Sequence, residues 1–376
     1  MPLNFGSNNA LDIFRDFLEN VKETENYVRV VIDYSVESAI AGGLLCKALK
    51  ELDIMFELIN NLMEIPIDET RQFLINTKVS SGGSALALAA TSTSVVRKTS
   101  TGYVIGAPVL EEALLYIISD YVIIPKEVKY LLASSVLARR TPRLVKGKLS
   151  ASEEKFLGKL ENDDLIKKVV GPMIMGWNHL KPEVAVKYSV DLLVPKYFMR
   201  DLADEVSDEV IANELGLPRE QITGNNYIIR QEWYVKDLYY LAYLLMCIVD
   251  ENGVEVLAAT VLNPGAILWY ALKMYEYLRR LRTALDEFLA GDWESKGKYK
   301  VMHMEDPPPL TMLTKVLQNL GKLGRDEVIA NELAGKVHVP IQMLSQKSRE
   351  VLRTEAKIVG GYAIFSSTDV LSKVGT

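Results

Sequence analysis

The segment VVIDYSVESAIAGGLLCKAL, residues Val30 to Leu49, says most about the fold of this chain. It begins with β-branched and apolar residues that favour a buried strand, and Asp33 stands at the end of that strand. A short polar turn follows, and small and apolar residues from Glu37 onward predict a helix. This layout usually presents carboxylates to metal ions at the carboxyl edge of a parallel sheet, but Asp33 and Glu37 are the only acids here and no histidine is near.

Strand and helix patterns alternate over roughly the first 120 residues, which predicts a parallel α/β sheet. Helices are predicted over Asp12–Val21 and about Glu37–Leu52, and strands at YVRVVID, IMFELIN, RQFLIN and SVVRK. The stretch SSGGSALALAATSTS lacks the Gly-Lys-Ser/Thr of a phosphate-binding loop, so we expect a plain loop and a helix of small residues. Further helices are predicted at about Val109–Ser119, Lys126–Ala138 and Ala151–Val169.

A chain of 376 residues is too long for one compact core and indicates two domains. We place an α/β domain at 1–200, a connecting helix (about Asp201–Leu215) and linker at 201–223, and a second domain at 224–376. In that second domain, NNYIIRQEW and GVEVLAATVL resemble strands, and KIVGGYAIFSS resembles a strand pair. VKDLYYLAYLLMCIV is expected to form a buried helix, and ILWYALKMYEYLRRLRTALDEFL a long amphipathic one.

The composition is that of an ordinary soluble globular protein, with 49% hydrophobic and 24% charged residues. A net charge of −6 does not suggest a protein that coats nucleic acid, although local basic patches remain possible. Cys46 and Cys247 have no metal-ligand spacing, so buried reduced thiols are expected. The longest apolar run is far shorter than the ~20 residues of a membrane span, and the first residues lack a secretory pattern. We therefore expect a cytoplasmic protein with no membrane contact and no cofactor.

The octapeptide DEVIANEL occurs twice, at Asp208–Leu215 and at Asp326–Leu333. The flanking sequences do not extend the match, so it does not indicate a domain repeat. In a helix, Val210, Ile211 and Leu215 would share a buried face and leave Asn213 outside. Two interpretations are open: two helices that pack on the core, or a duplicated docking surface for a partner with repeated binding sites.

The opening segment resembles the first motif of the DHH phosphoesterase superfamily, which includes the RecJ-type nucleases. That motif reads His-x-Asp-x-Asp-Gly before a helix of small and apolar residues, and GGLLCKAL, Gly42 to Leu49, sets the register. In this register Asp33 stands in the histidine position, Ser35 and Glu37 in the two aspartate positions, and Ser38 in the glycine position. A serine brings no charge to a metal ion, so the resemblance implies a degenerate site with no catalytic residue and no metal.

The later motifs of this superfamily are also altered. Where Asp-His-His is expected, SVVRKTSTG offers Arg97, Lys98 and Thr99, and where a further aspartate is expected the chain has Arg139 and Arg140. The usual Gly-Gly-Gly-His substrate loop corresponds to IVGGYAIF. The three histidines are dispersed, so no alignment restores Asp-His-His; they are His179, His303 and His338.

A second resemblance is to archaeal RecJ-like proteins, whose second half carries an Asn-x-x-Gly-Arg feature where this chain has MCIVDENG. The resemblance implies an N-terminal parallel-sheet DHH-like domain followed by a smaller α/β C-terminal domain of the DHHA1 type. Nuclease-deficient members of this group are related to the cell-division-cycle subunit of the CMG helicase. They bind the GINS complex and, through it, the MCM helicase.

The stretch from Lys126 to Lys148 carries seven basic residues and one acidic residue. It is interpreted either as a solvated surface or as a patch that faces DNA or an acidic protein partner. Candidate residues for weak single-stranded DNA binding are Arg97, Lys98, Arg139, Arg140, Arg143, Lys146 and Lys148.

The resemblance implies a non-catalytic RecJ-like subunit of the archaeal replicative helicase complex. It binds GINS and, indirectly, MCM, and a contact with single-stranded DNA is left open. The alternative is a divergent metal-dependent DHH phosphoesterase that acts on DNA ends or small nucleotides.

Overall fold

A computed structural model describes most of the chain and divides it into two compact units. The first unit is Met1–Val136, Ser150–Leu157 and Val254–Ala266, and the second is Leu137–Leu149, Gly158–Gly253 and Ile267–Thr376. These units interleave along the chain, whereas the sequence suggested one linker at 201–223; the predicted domain ranges stay a prediction. The described residues are 9–24, 26–63, 65, 68–77, 84–141, 149–190, 199–200, 206–345, 348–349, 352 and 355–374.

The first unit contains a six-stranded sheet with the strand order β2-β1-β3-β4-β6-β5. All neighbours in it are parallel except β5, which runs antiparallel to β6. The predicted parallel α/β sheet is therefore confirmed. The strands are β1 (Tyr27–Ile32), β2 (Met55–Asn60), β3 (Gln72–Ile75), β4 (Ala85–Ala90), β5 (Val95–Lys98) and β6 (Gly102–Ala107).

The helices of the first unit include α1 (Asn9–Thr24), α2 (Val36–Glu51), α3 (Leu110–Ile118) and α10 (Val254–Leu262), and α4 (Lys126–Ala138) lies mostly within it. Helix α2 is almost entirely buried because the sheet covers one side and α10 packs along another. Its two glycines permit this close approach. A Cβ at Gly42 would lie 2.5 Å from Cγ2 of Ile32, and one at Gly43 would lie 2.5 Å from the carbonyl oxygen of Ala258.

The second unit has a two-stranded antiparallel sheet of β7 (Ile166–Pro172) and β8 (Thr223–Ile229). It also has a six-stranded sheet with the order β13-β14-β12-β11-β10-β9, in which only β10 and β11 are parallel neighbours. These strands are β9 (Glu294–Lys296), β10 (Tyr299–Met302), β11 (Val328–Leu333), β12 (Lys336–Pro340), β13 (Lys357–Val359) and β14 (Tyr362–Phe365).

The helices of the second unit surround these sheets, and α5 (Ala151–Asn162) runs into it from the first unit. None of the helices among the described residues has the length and apolarity that a bilayer span needs. The helices are α6 (Pro182–Tyr188), α7 (Asp208–Leu215), α8 (Arg219–Ile222), α9 (Leu238–Asn252), α11 (Ile267–Ala290), α12 (Leu310–Asn319) and α13 (Leu371–Val374).

Four secondary-structure predictions were wrong. GVEVLAATVL forms helix α10, because a short apolar run does not distinguish a buried helix from a strand. The small-residue stretch ALALAA is the inner strand β4. The helix predicted to Val169 ends at Asn162, where Asp164 adopts a left-handed φ of 57° before β7. The second DEVIANEL copy contributes strand β11, whereas the first is helix α7.

Other predictions agree with the structure. Both cysteines are buried, and burial raises the pKa of Cys46 to about 12. The expected strand pair near the C-terminus is the antiparallel pair β13–β14. The helix predicted from Asp201 is described only as α7, because residues 201–205 lie outside the described residues.

Candidate functional site

The segment aligned with the first motif lies where β1 meets α2, at the carboxyl edge of the parallel sheet. Asp33 follows the last residue of β1, and Ser35 is the N-cap of α2. The Ser35 hydroxyl accepts a hydrogen bond from the backbone N–H of Ser38 at 3.2 Å and donates to Oγ of Ser38 at 2.8 Å. Glu37 lies in the first turn of α2 and is partly buried. In this structure, Ser35 therefore serves to begin a helix.

Two asparagines complete this cluster, and sequence reasoning missed both. The strand register places Asn61, after β2, and Asn76, after β3, level with Asp33. Nδ2 of Asn61 donates to Oδ1 of Asp33 at 2.8 Å, and Nδ2 of Asn76 donates to Oγ of Ser38 at 3.1 Å. A signal was present, because the apolar strand IMFELIN is followed directly by Asn61 and RQFLIN ends with Asn76. We call Asp33, Ser35, Ser38, Asn61 and Asn76 the Asp33 cluster.

The donor set of the Asp33 cluster is a poor fit for a pair of divalent cations. Two-metal phosphoesterase sites hold ions about 3.5–4 Å apart with several anionic or imidazole ligands. Here the hydroxyls and carboxamides add no charge to that of Asp33, and they already bond to one another. Among the described residues, no group of three or more His, Cys, Asp or Glu side chains is placed to hold a metal ion.

Arg97 and Lys98 do not lie beside the Asp33 cluster. They are exposed on β5, four strands away from β1 in the sheet, or about 19 Å at the usual strand spacing. Lys98 pairs with Tyr103, near the amino end of β6, because β5 runs antiparallel. This segment therefore ends at the opposite edge of the sheet from Asp33, and its alignment with Asp-His-His is not supported by the topology.

The remaining basic candidates belong to the other unit or lie outside the described residues. Arg139 and Arg140 come directly after α4 and belong to the second unit. Both are partly buried, and the backbone N–H of Arg140 donates to the carbonyl of Leu137 at 2.9 Å. Arg143, Lys146 and Lys148 lie outside the described residues. DNA binding by these residues stays a prediction.

In the second unit, the end of α9 carries a fully buried carboxylate. Asp250 Oδ1 accepts a hydrogen bond from Thr311 at 2.5 Å, and its Oδ2 accepts one from Tyr277 at 3.1 Å. Burial raises the pKa of Asp250 to about 7, although the two hydroxyl donors oppose the rise. Burial lowers the pKa of Lys315, one turn beyond Thr311 on α12, to about 8, and the Asp250 charge opposes that fall.

The glycine pair expected in the substrate loop packs directly on this end of α9. The N–H of Gly361 donates to the carbonyl of Asp250 at 3.0 Å, and a Cβ at Gly361 would lie 2.7 Å from Cα of Asp250. Gly360 has a left-handed φ of 54°, and a Cβ there would lie 2.5 Å from the carbonyl oxygen of Glu251. The glycine pair thus allows the segments MCIVDENG and IVGGYAIF to pack against each other. The sequence analysis had related these two segments to different motifs.

An arginine, Arg280, lies beside the carboxyl end of α9. It comes from α11, whereas the archaeal pattern carries its arginine in the segment that corresponds to MCIVDENG. Nη2 of Arg280, on α11, forms a 2.6 Å ion pair with Oε2 of Glu251. Its Nη1 donates to the carbonyl of Pro307 at 2.9 Å. The guanidinium is therefore engaged by an acid and a carbonyl of its own unit.

No protein-family model matches the sequence, and no curated protein matches it either. Among solved structures, the chain is similar to Cdc45 from Entamoeba histolytica, with a TM-score of 0.62 and 9% identity over 97% of both chains. It is less similar to RecJ from Thermus thermophilus in complex with Mn²⁺, with a TM-score of 0.47 and 12% identity. That match covers 100% of this chain and 55% of RecJ. The chain therefore shares the fold of Cdc45 over nearly its whole length, and the expected resemblance is confirmed at the level of that fold.

Proposed function

We propose that this chain is a non-catalytic RecJ-like subunit of an archaeal replicative helicase complex, working in the cytoplasm. It binds a GINS complex and, through GINS, the MCM helicase. The observation that carries the proposal is the Cdc45 fold over 97% of both chains. At 9% identity this likeness concerns the fold, so the partners come from the family resemblance and require a direct test.

The Asp33 cluster supports the non-catalytic part of the proposal. Asp33 is held by Asn61, and Ser35 and Ser38 bond to each other at the start of α2. A hydrolytic site needs charged ligands that hold cations and activate a water molecule. The strand–turn–helix frame persists with uncharged donors, which favours a fold kept for its surface.

The partner surface is proposed to lie on the α/β scaffold rather than on the degenerate cleft. A stable interface of this kind buries about 1,200–2,000 Å² and centres on apolar and aromatic side chains. Single-stranded DNA is proposed as a weaker ligand of the basic stretch between Lys126 and Lys148.

Co-expression with the GINS subunits, followed by size-exclusion chromatography with light scattering, tests the proposal. We expect one stable complex that contains this chain and GINS, and recovery of MCM from cell extract in a GINS-dependent manner. A Cys46→Arg variant serves as the unfolded negative control. It places a charged side chain in the buried face of α2 and should lose the complex together with the fold. Elution as a homodimer that draws neither GINS nor MCM would refute the replication assignment.

A further inference from the structure

Among the residues that the structure describes, no strand pairs with the outer edge of β7, and the register of the β7–β8 pair shows which groups face outward. At one end of the pair the N–H of Arg230 donates to the carbonyl of Leu165, and at the other the N–H of Met173 donates to the carbonyl of Ile222. In an antiparallel ladder the hydrogen-bonded positions alternate, so the odd-numbered residues of β7 bond to β8. The even-numbered residues direct their backbone groups away from β8.

Val170 is the exposed centre of this edge. The neighbouring outward N–H, of Lys168, donates to Oε1 of Glu161 at 2.9 Å, as the register requires. Within the described part of the chain, no hydrogen bond reaches the outward N–H or carbonyl of Val170. Val170 as a whole residue is 79% exposed. An exposed edge with an unused donor and acceptor is a template for another extended chain.

A cavity of about 510 Å³ opens beside Val170 and carries both aromatic and acidic groups. Nη2 of Arg219 and Oδ2 of Asp208 form a 2.6 Å ion pair across its wall, so these two charges offset each other. Glu220 is exposed and takes part in no ion pair among the described residues. The uncommitted charge of the cavity is therefore negative. Its lining residues are Val170, Gly171, Pro172, Trp177, Asn178, Asp208, Arg219, Glu220 and Thr223.

We propose that β7 and this cavity bind an extended segment of another protein that carries a lysine or arginine. The segment's backbone pairs with the outward N–H and carbonyl of Val170, as in strand addition to a sheet edge. Its cationic side chain enters the cavity, where the Glu220 carboxylate attracts it and the Trp177 ring can face it. Within the cavity, a phosphate or an acidic side chain would meet Glu220 without an uncommitted cation, because the exposed Lys167 and Lys168 of β7 are not among the lining residues. This inference is independent of the proposed replication role.

The test uses the full chain and two fluorescein-labelled peptides, acetyl-Thr-Val-Arg-Val-Thr-Val and the same peptide with Glu in place of Arg. Fluorescence polarisation should show that the Arg peptide binds about tenfold or more tightly than the Glu peptide. Equal affinities for the two peptides, or binding of neither, would overturn the proposal.

Variants at Val170 separate backbone recognition from side-chain contact. Val170→Pro removes the outward N–H but no β7–β8 bond, so it should fold and lose at least about tenfold in affinity. Val170→Thr keeps the N–H and should bind like the wild type. Thermal unfolding and circular dichroism verify that both variants are folded. A folded Val170→Pro variant that binds with unchanged affinity would contradict pairing at this edge.

Variants of α7 and α8 test the cavity. Glu220→Lys should abolish the preference for the Arg peptide, whereas the charge-matched control Glu209→Lys, an exposed acid that does not line the cavity, should preserve it. Sedimentation of the wild type addresses the other occupant, because β7 itself carries lysines. A concentration-dependent dimer that Val170→Pro dissolves would assign the edge to a second copy and refute our choice of partner.

Discussion

At the scale of single residues, hydrogen bonds between uncharged side chains and Asp33 organise the carboxyl edge of the parallel sheet. Ser35 caps α2, Asn76 bonds to Ser38, and Asn61 holds Asp33. Each of these contacts stabilises the strand–turn–helix frame without adding a charge that could bind a cation. These residues therefore explain how the frame is held together.

We predict that the purified protein has no Mn²⁺-dependent exonuclease or phosphodiesterase activity, because the Asp33 cluster lacks the ligands that hold two cations. The measurement is turnover of 5′-labelled single strands and of dinucleotides in the presence of Mn²⁺. Activity that disappears in a Glu37→Ala variant would establish the alternative, a divergent phosphoesterase.

Asp250 predicts a pH dependence of stability. Its pKa is about 7 in the folded protein against an ordinary 3.8, so the folded state binds a proton that the unfolded chain releases. The resulting stability is complete at low pH and is lost as the pH rises through about 7, at up to about 1.4 kcal/mol per pH unit. Lys315, whose pKa is about 8, acts mainly above this window.

Thermal unfolding between pH 5 and pH 8 measures this effect as the difference between the wild type and Asp250→Asn. The variant should lose the part of the decline that Asp250 causes, whereas the exposed control Asp163→Asn should keep the wild-type profile. Identical profiles for the wild type and Asp250→Asn would show that this carboxyl group does not titrate in that range. The comparison with Asp250→Asn is needed because His179 and His338 also titrate. Their pKa values are lowered, so their contribution to stability increases with pH, whereas that of Asp250 decreases.

At the scale of elements, the repeated octapeptide adopts two secondary structures. The first copy is α7, which begins at the N-cap Ser207 and ends at Gly216 with a left-handed φ of 62°. The second contributes β11, which pairs with β10 and β12. Short segments have weak intrinsic preferences, so caps and neighbouring strands determine which structure forms. This outcome excludes the interpretation of two similar core helices.

The two copies also provide a matched pair of substitutions. Asn331 is fully buried, and its carboxamide accepts a hydrogen bond from the N–H of Met304 and donates one to its carbonyl, at 2.9 and 3.0 Å. Asn213, the same position in α7, is exposed. Asn331→Ala should therefore lower the free energy of unfolding by about 1–3 kcal/mol. Asn213→Ala should change it by less than about 0.5 kcal/mol.

Urea unfolding of both variants measures this contrast. Equal effects at the two positions would show that the Met304 contacts do not contribute to stability in solution.

At the scale of the whole molecule, the net charge is −6 and the basic stretch from Lys126 to Lys148 is the candidate DNA site, so any binding to single-stranded DNA should be weak and strongly salt-dependent. Each phosphate contact contributes about −0.7 to the slope of log K against log salt concentration. Replacing Arg139, Arg140 and Arg143 with serine should flatten that slope, as measured by fluorescence anisotropy in a salt series. An unchanged slope in the triple variant would place the DNA site elsewhere.

The sequence by itself determined the parallel α/β sheet and the long helix α11. These patterns are local and extended, so the period of the apolar residues is sufficient to identify them. The small-residue strand β4 and the helix α10 were not predictable in this way, because short apolar runs take the structure that their neighbours impose.

Only the tertiary structure brought Asn61 and Asn76 to Asp33, placed Arg97 and Lys98 at the opposite edge of the sheet, and packed Gly361 on Asp250. Strand order and strand direction determine which strand ends lie at the same edge of the sheet, and the local residue pattern predicts neither of them. The two copies of DEVIANEL show the same limit, since eight identical residues form a helix beside Ser207 and a strand between β10 and β12. Their structures differ because hydrogen-bond partners distant in sequence are available to the second copy, whereas the first is closed by its own caps.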